Sequence, residues 1–203
     1  MAGRYQPLHP QDIAQLIRDH PLAFVVSGWS GSPTATSLPL LAETDTDGHI
    51  VSLLGHFARA NPQLRSLKQD PRALILFQGP QGYISPEGLS NRDWAPTWNY
   101  ATLQFETEIM LVPEANDDAL VRLIATMEEG RDPPWTQAEM GARYEKLARH
   151  VVAFRATVRS ARAIFKLGQD ERRETFGEIM NWLEDSPLRQ LMAVQNPDAH
   201  DVG

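Results

Sequence analysis

From Thr97 to Val112 the sequence alternates. Leu103, Phe105, Ile109 and Leu111 share one parity; Thr102, Gln104, Glu106 and Glu108 share the other. A period of two held this long describes a strand with one wet face and one buried face. Such a strand needs partners on both edges and a cover over its apolar side, so it commits the chain to a substantial sheet. Trp98 and Tyr100 fall on the polar parity, the side that faces a cleft or a partner, although packing at a strand end is an equal reading for Trp98.

The remaining elements fit round this strand. Asp12 caps a short helix with Ile13, Leu16 and Ile17 on one face, ended by Pro21. Leu22–Trp29 and Thr34–Leu41 read as strands joined at Gly31-Ser32-Pro33, with Pro39 marking an edge or bulge. Ile50–Leu54 follows the turn Asp45-Thr46-Asp47-Gly48, and Arg72–Phe77 is apolar on both faces, as a central strand is. Gln78–Gly82 reads as a break. Asn116 is placed to cap a helix bearing Leu120, Leu123, Ile124 and Met127, and a second helix is expected over Thr136–Arg149. Val151–Phe165 is the last strand. A final helix over Arg172–Leu183 carries Phe176, Ile179, Met180 and Leu183 on one face, and Asn196–Gly203 reads as disordered. Strands joined mostly by turns, with helices inserted, predict an antiparallel sheet or barrel plus helices and exclude a βαβ repeat. The expected organisation is one domain over 1–170 with a C-terminal helical extension over 171–203.

The stretch Gly55–Leu67 leaves the Ile50–Leu54 strand and enters a helix, with Asn61 as N-cap and Pro62 at the first helical position. Arg59 before that helix and Arg65 about one turn inside it suit an anion such as a phosphate. An ordinary capped corner with a solvated arginine is the competing reading.

The chain has no cysteine, so disulfides, thiolate nucleophiles and thiolate metal sites are excluded. Its six histidines are scattered, with none at metal-ligand spacing. Ser37 and Ser85 have no base near them in sequence, and His56 reads as structural before catalytic. The net charge of −7 disfavours broad adhesion to nucleic acid. Arg143 to Arg173 is nonetheless basic, so a contact with DNA, an anionic cofactor or another subunit is open. No leader or membrane-spanning run is seen, and a soluble cytoplasmic protein is expected. Polar, small and aromatic residues concentrate at Thr34–Pro39, Gly55–Asn61 and Gln78–Tyr100, a set that fits a flat aromatic ligand carrying a phosphate, such as flavin mononucleotide (FMN).

Several of these stretches resemble the PaiB family, the FMN-binding negative transcriptional regulators. They are Tyr5-Gln6-Pro7-Leu8-His9, Ala35-Thr36-Ser37-Leu38-Pro39, Gly55-His56-Phe57-Ala58-Arg59-Ala60-Asn61-Pro62, Tyr83-Ile84-Ser85-Pro86, Pro96-Thr97-Trp98-Asn99-Tyr100 and Phe165-Lys166-Leu167. The resemblance implies the FMN-binding split barrel, the fold of pyridoxamine-phosphate oxidase, in which flavin sits between the subunits of a homodimer. It places Thr34, Ala35, Thr36, Ser37 and Leu38 along the flavin ring and Arg59 with the helix start at Asn61 on the phosphate, and it counts Gly55 and His56 among the cofactor-binding residues. Gln78, Tyr83, Ser85, Trp98 and Lys166 complete the implied pocket. No residue is implied as catalytic and no metal is implied. The chain departs from the family pattern at Ser37, where that pattern has histidine, and at Gln81-Gly82, where it has His-Ala. Three functions follow: a flavin-binding regulator, a flavin-dependent oxidoreductase of the same fold, or a dimeric scaffold that has lost its flavin.

Overall fold

The computed structural model describes residues 3–29 and 31–199. The strands are β1 (Leu22–Ser27), β2 (Thr34–Pro39), β3 (Leu41–Thr44), β4 (Ile50–Ala58), β5 (Arg72–Ile84), β6 (Thr97–Leu111) and β7 (Val151–Lys166). The helices are α1 (Gln11–Asp19), α2 (Gln63–Gln69), α3 (Asn116–Met127), α4 (Ala142–Ala148), α5 (Arg173–Trp182) and α6 (Pro187–Gln195). All strands join one sheet in the order β2-β1-β5-β6-β7-β4-β3, and every pairing is antiparallel. No helix among the described residues is long and apolar enough to cross a membrane.

The two end strands, β2 and β3, are consecutive in the chain. The bend between them is at Leu40, whose side chain is fully buried and whose N–H donates to the Pro21 carbonyl at 2.9 Å. The sheet therefore curls until its edges meet at this corner without pairing, which makes a barrel with a seam. Helix α2 closes the seam. The side-chain amide of Gln63, only 2% exposed, donates to the Val25 carbonyl (2.8 Å), Ser27 Oγ (2.9 Å) and the Thr34 carbonyl (3.3 Å), and accepts from Thr36 Oγ1 (2.5 Å). An amide sealed from water without such partners would cost several kcal/mol, so these bonds are what permits a glutamine here.

The interior is apolar and aromatic. Phe57, Phe77, Phe105, Phe154 and Phe165 are essentially fully buried, and the rings of Phe57 and Phe154 lie 4.8 Å apart. Leu103, Phe105 and Ile109 of β6 point inward, as the alternation requires. The segment expected as a C-terminal extension supplies Phe176, Ile179, Met180, Leu188 and Met192 to that same core.

Several expectations need correction. The chain does not break after Phe77. Strand β5 runs on through a bulge between the rungs Gln78↔Thr102 and Gln81↔Tyr100. Gly79-Pro80 occupies the bulge, where a missing N–H costs no ladder bond. Strand β4 continues through His56 and Phe57 to Ala58, so most of the supposed turn is ladder paired to β7. The expected second strand is two, β2 and β3, divided at Leu40. Asn116 does not cap α3: its amide donates to the Val151 carbonyl and accepts from the Ala153 N–H, clamping the helix start to β7. Thr136–Arg149 splits into a 3-10 turn, Gln137–Met140, and α4, and a further helix beyond Leu183, α6, carries Leu188, Leu191 and Met192. Asn196 is held by bonds to the Leu167 and Met192 carbonyls. The tail expected to be disordered lies outside the described residues from 200 onward.

Candidate functional site

One face of the sheet, spanning β2, β1, β5, β6 and the C-terminal half of β7, contains no buried side chain. Register places its residues side by side. Ser37 lies opposite Phe24, Phe24 opposite Leu76, Gln81 opposite Tyr100, Tyr83 opposite Trp98, and Tyr100 opposite Lys166. Much of the face is apolar. Leu22, Phe24, Tyr83 and Trp98 are 62%, 52%, 48% and 52% exposed. A contiguous apolar face of this kind marks a surface meant for a partner or a ligand. The signal in sequence is the doubly apolar run Leu22–Ser27: its inward parity fills the barrel, and nothing among the described residues buries its outward parity.

Tyr83 and Trp98 stand edge to face, with ring centroids 6.1 Å apart. Lys166 lies beside them, donating to Thr97 Oγ1 and to the Trp98 carbonyl at 3.1 Å. These partners are neutral, and Lys166 has no ion pair among the described residues. Ser85 serves local structure, its Oγ accepting from the Glu87 N–H at the start of a 3-10 turn.

The β2 residues divide by parity. Ala35 and Ser37 belong to the open face, while Thr36 turns inward to Gln63 and Asn61 and Leu38 packs on the core. The Thr34 carbonyl is bound by Gln63. Gly55 faces the barrel interior: a Cβ there would lie 2.3 Å from Leu40 Cδ2 and 3.1 Å from the Phe154 ring. Close packing thus accounts for this glycine. His56 shares the opposite strand face with Leu54. Its Nδ1 is buried without a hydrogen-bond partner, and burial lowers its pKa, so the imidazole is neutral near pH 7.

The mouth of α2 differs from expectation. The helix begins at Gln63, and its first amides are taken: Gln63 N–H donates to Asn61 Oδ1, Leu64 N–H to the Asn61 carbonyl and Arg65 N–H to the Pro62 carbonyl. What remains for an anion is side-chain charge. Arg59 bonds the Arg149 carbonyl through Nε at 2.8 Å, and neither Arg59 nor Arg65 has an ion pair among the described residues.

Two cations of the basic segment 143–173 are neutralised by carboxylates. Arg155 pairs with Glu43 and Asp118, and Arg159 pairs with Glu108. Burial alone would raise the pKa of Glu43, but hydrogen bonds from Arg122 and Arg155 outweigh it and lower the net value. Asp45, Asp47 and His49 come together in the exposed β3–β4 turn, where Asp45 Oδ1 is already occupied by the N–H groups of Asp47 and His49.

The sequence over residues 2–160 matches the family described as "Putative FMN-binding domain". The chain is 31% identical over 200 residues to the Bacillus subtilis (strain 168) "Protease synthase and sporulation protein PAI 2", covering 98% of this chain and 91% of that one. Among solved structures, the FAD and heme binding protein of Mycobacterium smegmatis superposes with a TM-score of 0.58 at 17% identity, covering 88% of this chain and 75% of that one. The flavocytochrome Anf3 of Azotobacter vinelandii gives 0.55 at 15% identity, covering 78% and 68%. At these identities the two structures speak for the fold alone, and that fold is the split barrel expected from the sequence.

Proposed function

The chain belongs to the FMN-binding family of the PaiB type, and from that premise we propose that it is a homodimer holding FMN between two copies of the open sheet face, with a regulatory role. The observation that carries this reading is the open face itself. It is too exposed to be an outer wall, and on one chain it offers only an open groove of about 450 Å³ beside Trp29, Leu74 and Glu106; a larger groove, about 580 Å³, lies away from it beside Trp94 and Glu171. A second copy laid against it would convert it into a cleft and cover Leu22 and Phe24 at once.

The residues present fit the cofactor. A flat ring needs exposed aromatic and apolar walls, which Tyr83, Trp98 and Phe24 supply. A phosphate needs cations not already neutralised, and Arg59, Arg65 and Lys166 are such cations. Side chains would hold the phosphate in place of the α2 amides, which are spent. FMN, once bound, supplies redox chemistry through its ring. The residues of this chain bind it, orient it and shield it from water. The pairing of Arg155 and Arg159 with carboxylates removes two cations from any DNA-binding face and leaves the regulatory role resting on family membership.

Purified protein titrated with FMN tests the reading. At a hundredfold excess over Kd, FMN should stabilise the chain by about 2.7 kcal/mol. That corresponds to a rise in Tm of roughly 5–10 °C for a domain of this size. Light scattering should give twice the chain mass. A colourless monomer whose melting ignores FMN would refute it. A gel shift with upstream DNA tests the regulatory part, which fails if no band is retarded at low salt.

A further inference from the structure

Between the rungs Tyr83↔Trp98 and Gln81↔Tyr100 lies the rung Gly82↔Asn99, whose residues point inward while their neighbours point out. Directly beneath it runs α6. A Cβ on Gly82 would come within 2.8 Å of Leu188 Cδ2, so the leucine meets the strand backbone with no side chain between them. Asn99, 3% exposed, donates from Nδ2 to Met192 Sδ at 3.5 Å. Sulfur is a weak acceptor, so Met192 sets the height of Asn99 by its shape.

The helix is held firmly. Leu188 and Met192 are buried at 4% and 0% exposure. Gln195 at its end donates to Asp12 Oδ2 at 2.8 Å and accepts from the Leu8 N–H at 3.0 Å.

We propose that α6 is the positioning element of the Tyr83–Trp98 wall, with Leu188 and Met192 setting the height of the rung from which both aromatics project. The inference rests on the reading that this face holds FMN, and it reaches beyond the family match, which ends at residue 160. Close-packed interiors transmit a change of one or two methylenes when no flexible side chain absorbs it. At Gly82 none does.

The test compares Leu188→Ala with Val112→Ala, which removes two carbons, against three at Leu188, from the separate small cluster of Leu54, Val112, Ala119 and Ala153. Two readouts are taken on the full chain: the FMN Kd, and the fluorine resonance of 5-fluorotryptophan at Trp98, assigned through Trp98→Phe. Leu188→Ala should weaken FMN at least fivefold and move the Trp98 resonance, while Val112→Ala lowers Tm and moves neither. An unmoved Trp98 resonance in Leu188→Ala, or equal responses from both variants, overturns the proposal. If the unaltered protein does not bind FMN, the cofactor reading falls, and the Trp98 resonance alone decides the role of α6. Should Leu188→Ala fail to fold, the volume-conserving Leu188→Met is read by the same two signals.

Discussion

Replacing Gly55 by alanine adds one methyl group and should cost more than most single changes in this protein. The new Cβ would sit 2.3 Å from Leu40 Cδ2 and 3.1–3.2 Å from two atoms of the Phe154 ring. Carbon atoms prefer about 3.5–4.0 Å, so more than an ångström must be found. Leu40 and Phe154 are both at 0% exposure, and Leu40 is fixed by the bend where β2 becomes β3. Overpacking of this kind costs about 1–3 kcal/mol, and the upper half of that range is expected here. Urea unfolding followed by tryptophan emission measures it as a fall in midpoint at constant slope. A double-mutant cycle sharpens the test. Leu40→Ala alone should cost about 2–5 kcal/mol, and in the double variant the added methyl fills part of the space the leucine vacated. The two costs should then sum to at least 1 kcal/mol more than the double variant shows, as expected for groups in contact. A Gly55→Ala protein within about 0.5 kcal/mol of the parent, or strict additivity with Leu40→Ala, would refute the packing argument. It would return Gly55 to the cofactor role implied by its motif.

Gln63→Met keeps length and removes the four hydrogen bonds of the Gln63 side chain, leaving the Val25 and Thr34 carbonyls and the Ser27 and Thr36 hydroxyls each one bond short. The expected loss is about 2–4 kcal/mol, with hydrogen exchange in β1 and β2 accelerating before that in β6. The depressed pKa of His56 makes stability depend on pH in one direction only. Its contribution is complete above the unfolded value of about 6.5 and is lost as pH falls through that value toward the lower folded one. His56→Gln should therefore flatten the stability profile on the acid side of neutrality, and an unchanged slope would remove His56 from the account. Phe24→Glu, at a half-exposed position, should leave Tm within a few degrees and halve the mass seen by light scattering. A stable dimer carrying that charge would place the subunit contact elsewhere.

Alternation made the barrel legible. Strand β6 was placed almost to the residue because a period of two over that length admits no other structure, and the exposed parity of Trp98 and Tyr100 followed from it. Read locally, glycine and proline end β4 and β5 too early. In the folded chain Gly79-Pro80 fills a bulge and Gly55 makes room for Leu40 and Phe154. Both reasons depend on neighbours far away in sequence. Gln63 is illegible in the sequence for the same cause: it is a polar residue at a core position whose partners lie on β1 and β2. Arg59 and Arg65 are legible from the start of α2 and Trp98 from strand parity, while Tyr83 and Lys166 are legible only from the family motif. Their division into inward and outward sets, and the support of one rung by α6, needed the register.

Ladder partners such as Ser52 and Thr157 are separated by more than half of the chain. During synthesis at about 5–20 residues per second, β3 and β4 emerge from the ribosome roughly 5–20 s before β7 exists to receive them. The nascent polypeptide must carry the greasy flanks of Leu53 and Phe57 unpaired through that interval. Expression at lowered temperature or with extra chaperone capacity should therefore improve the soluble yield of this protein more than that of a helical bundle of equal size, whose contacts close as quickly as they are made.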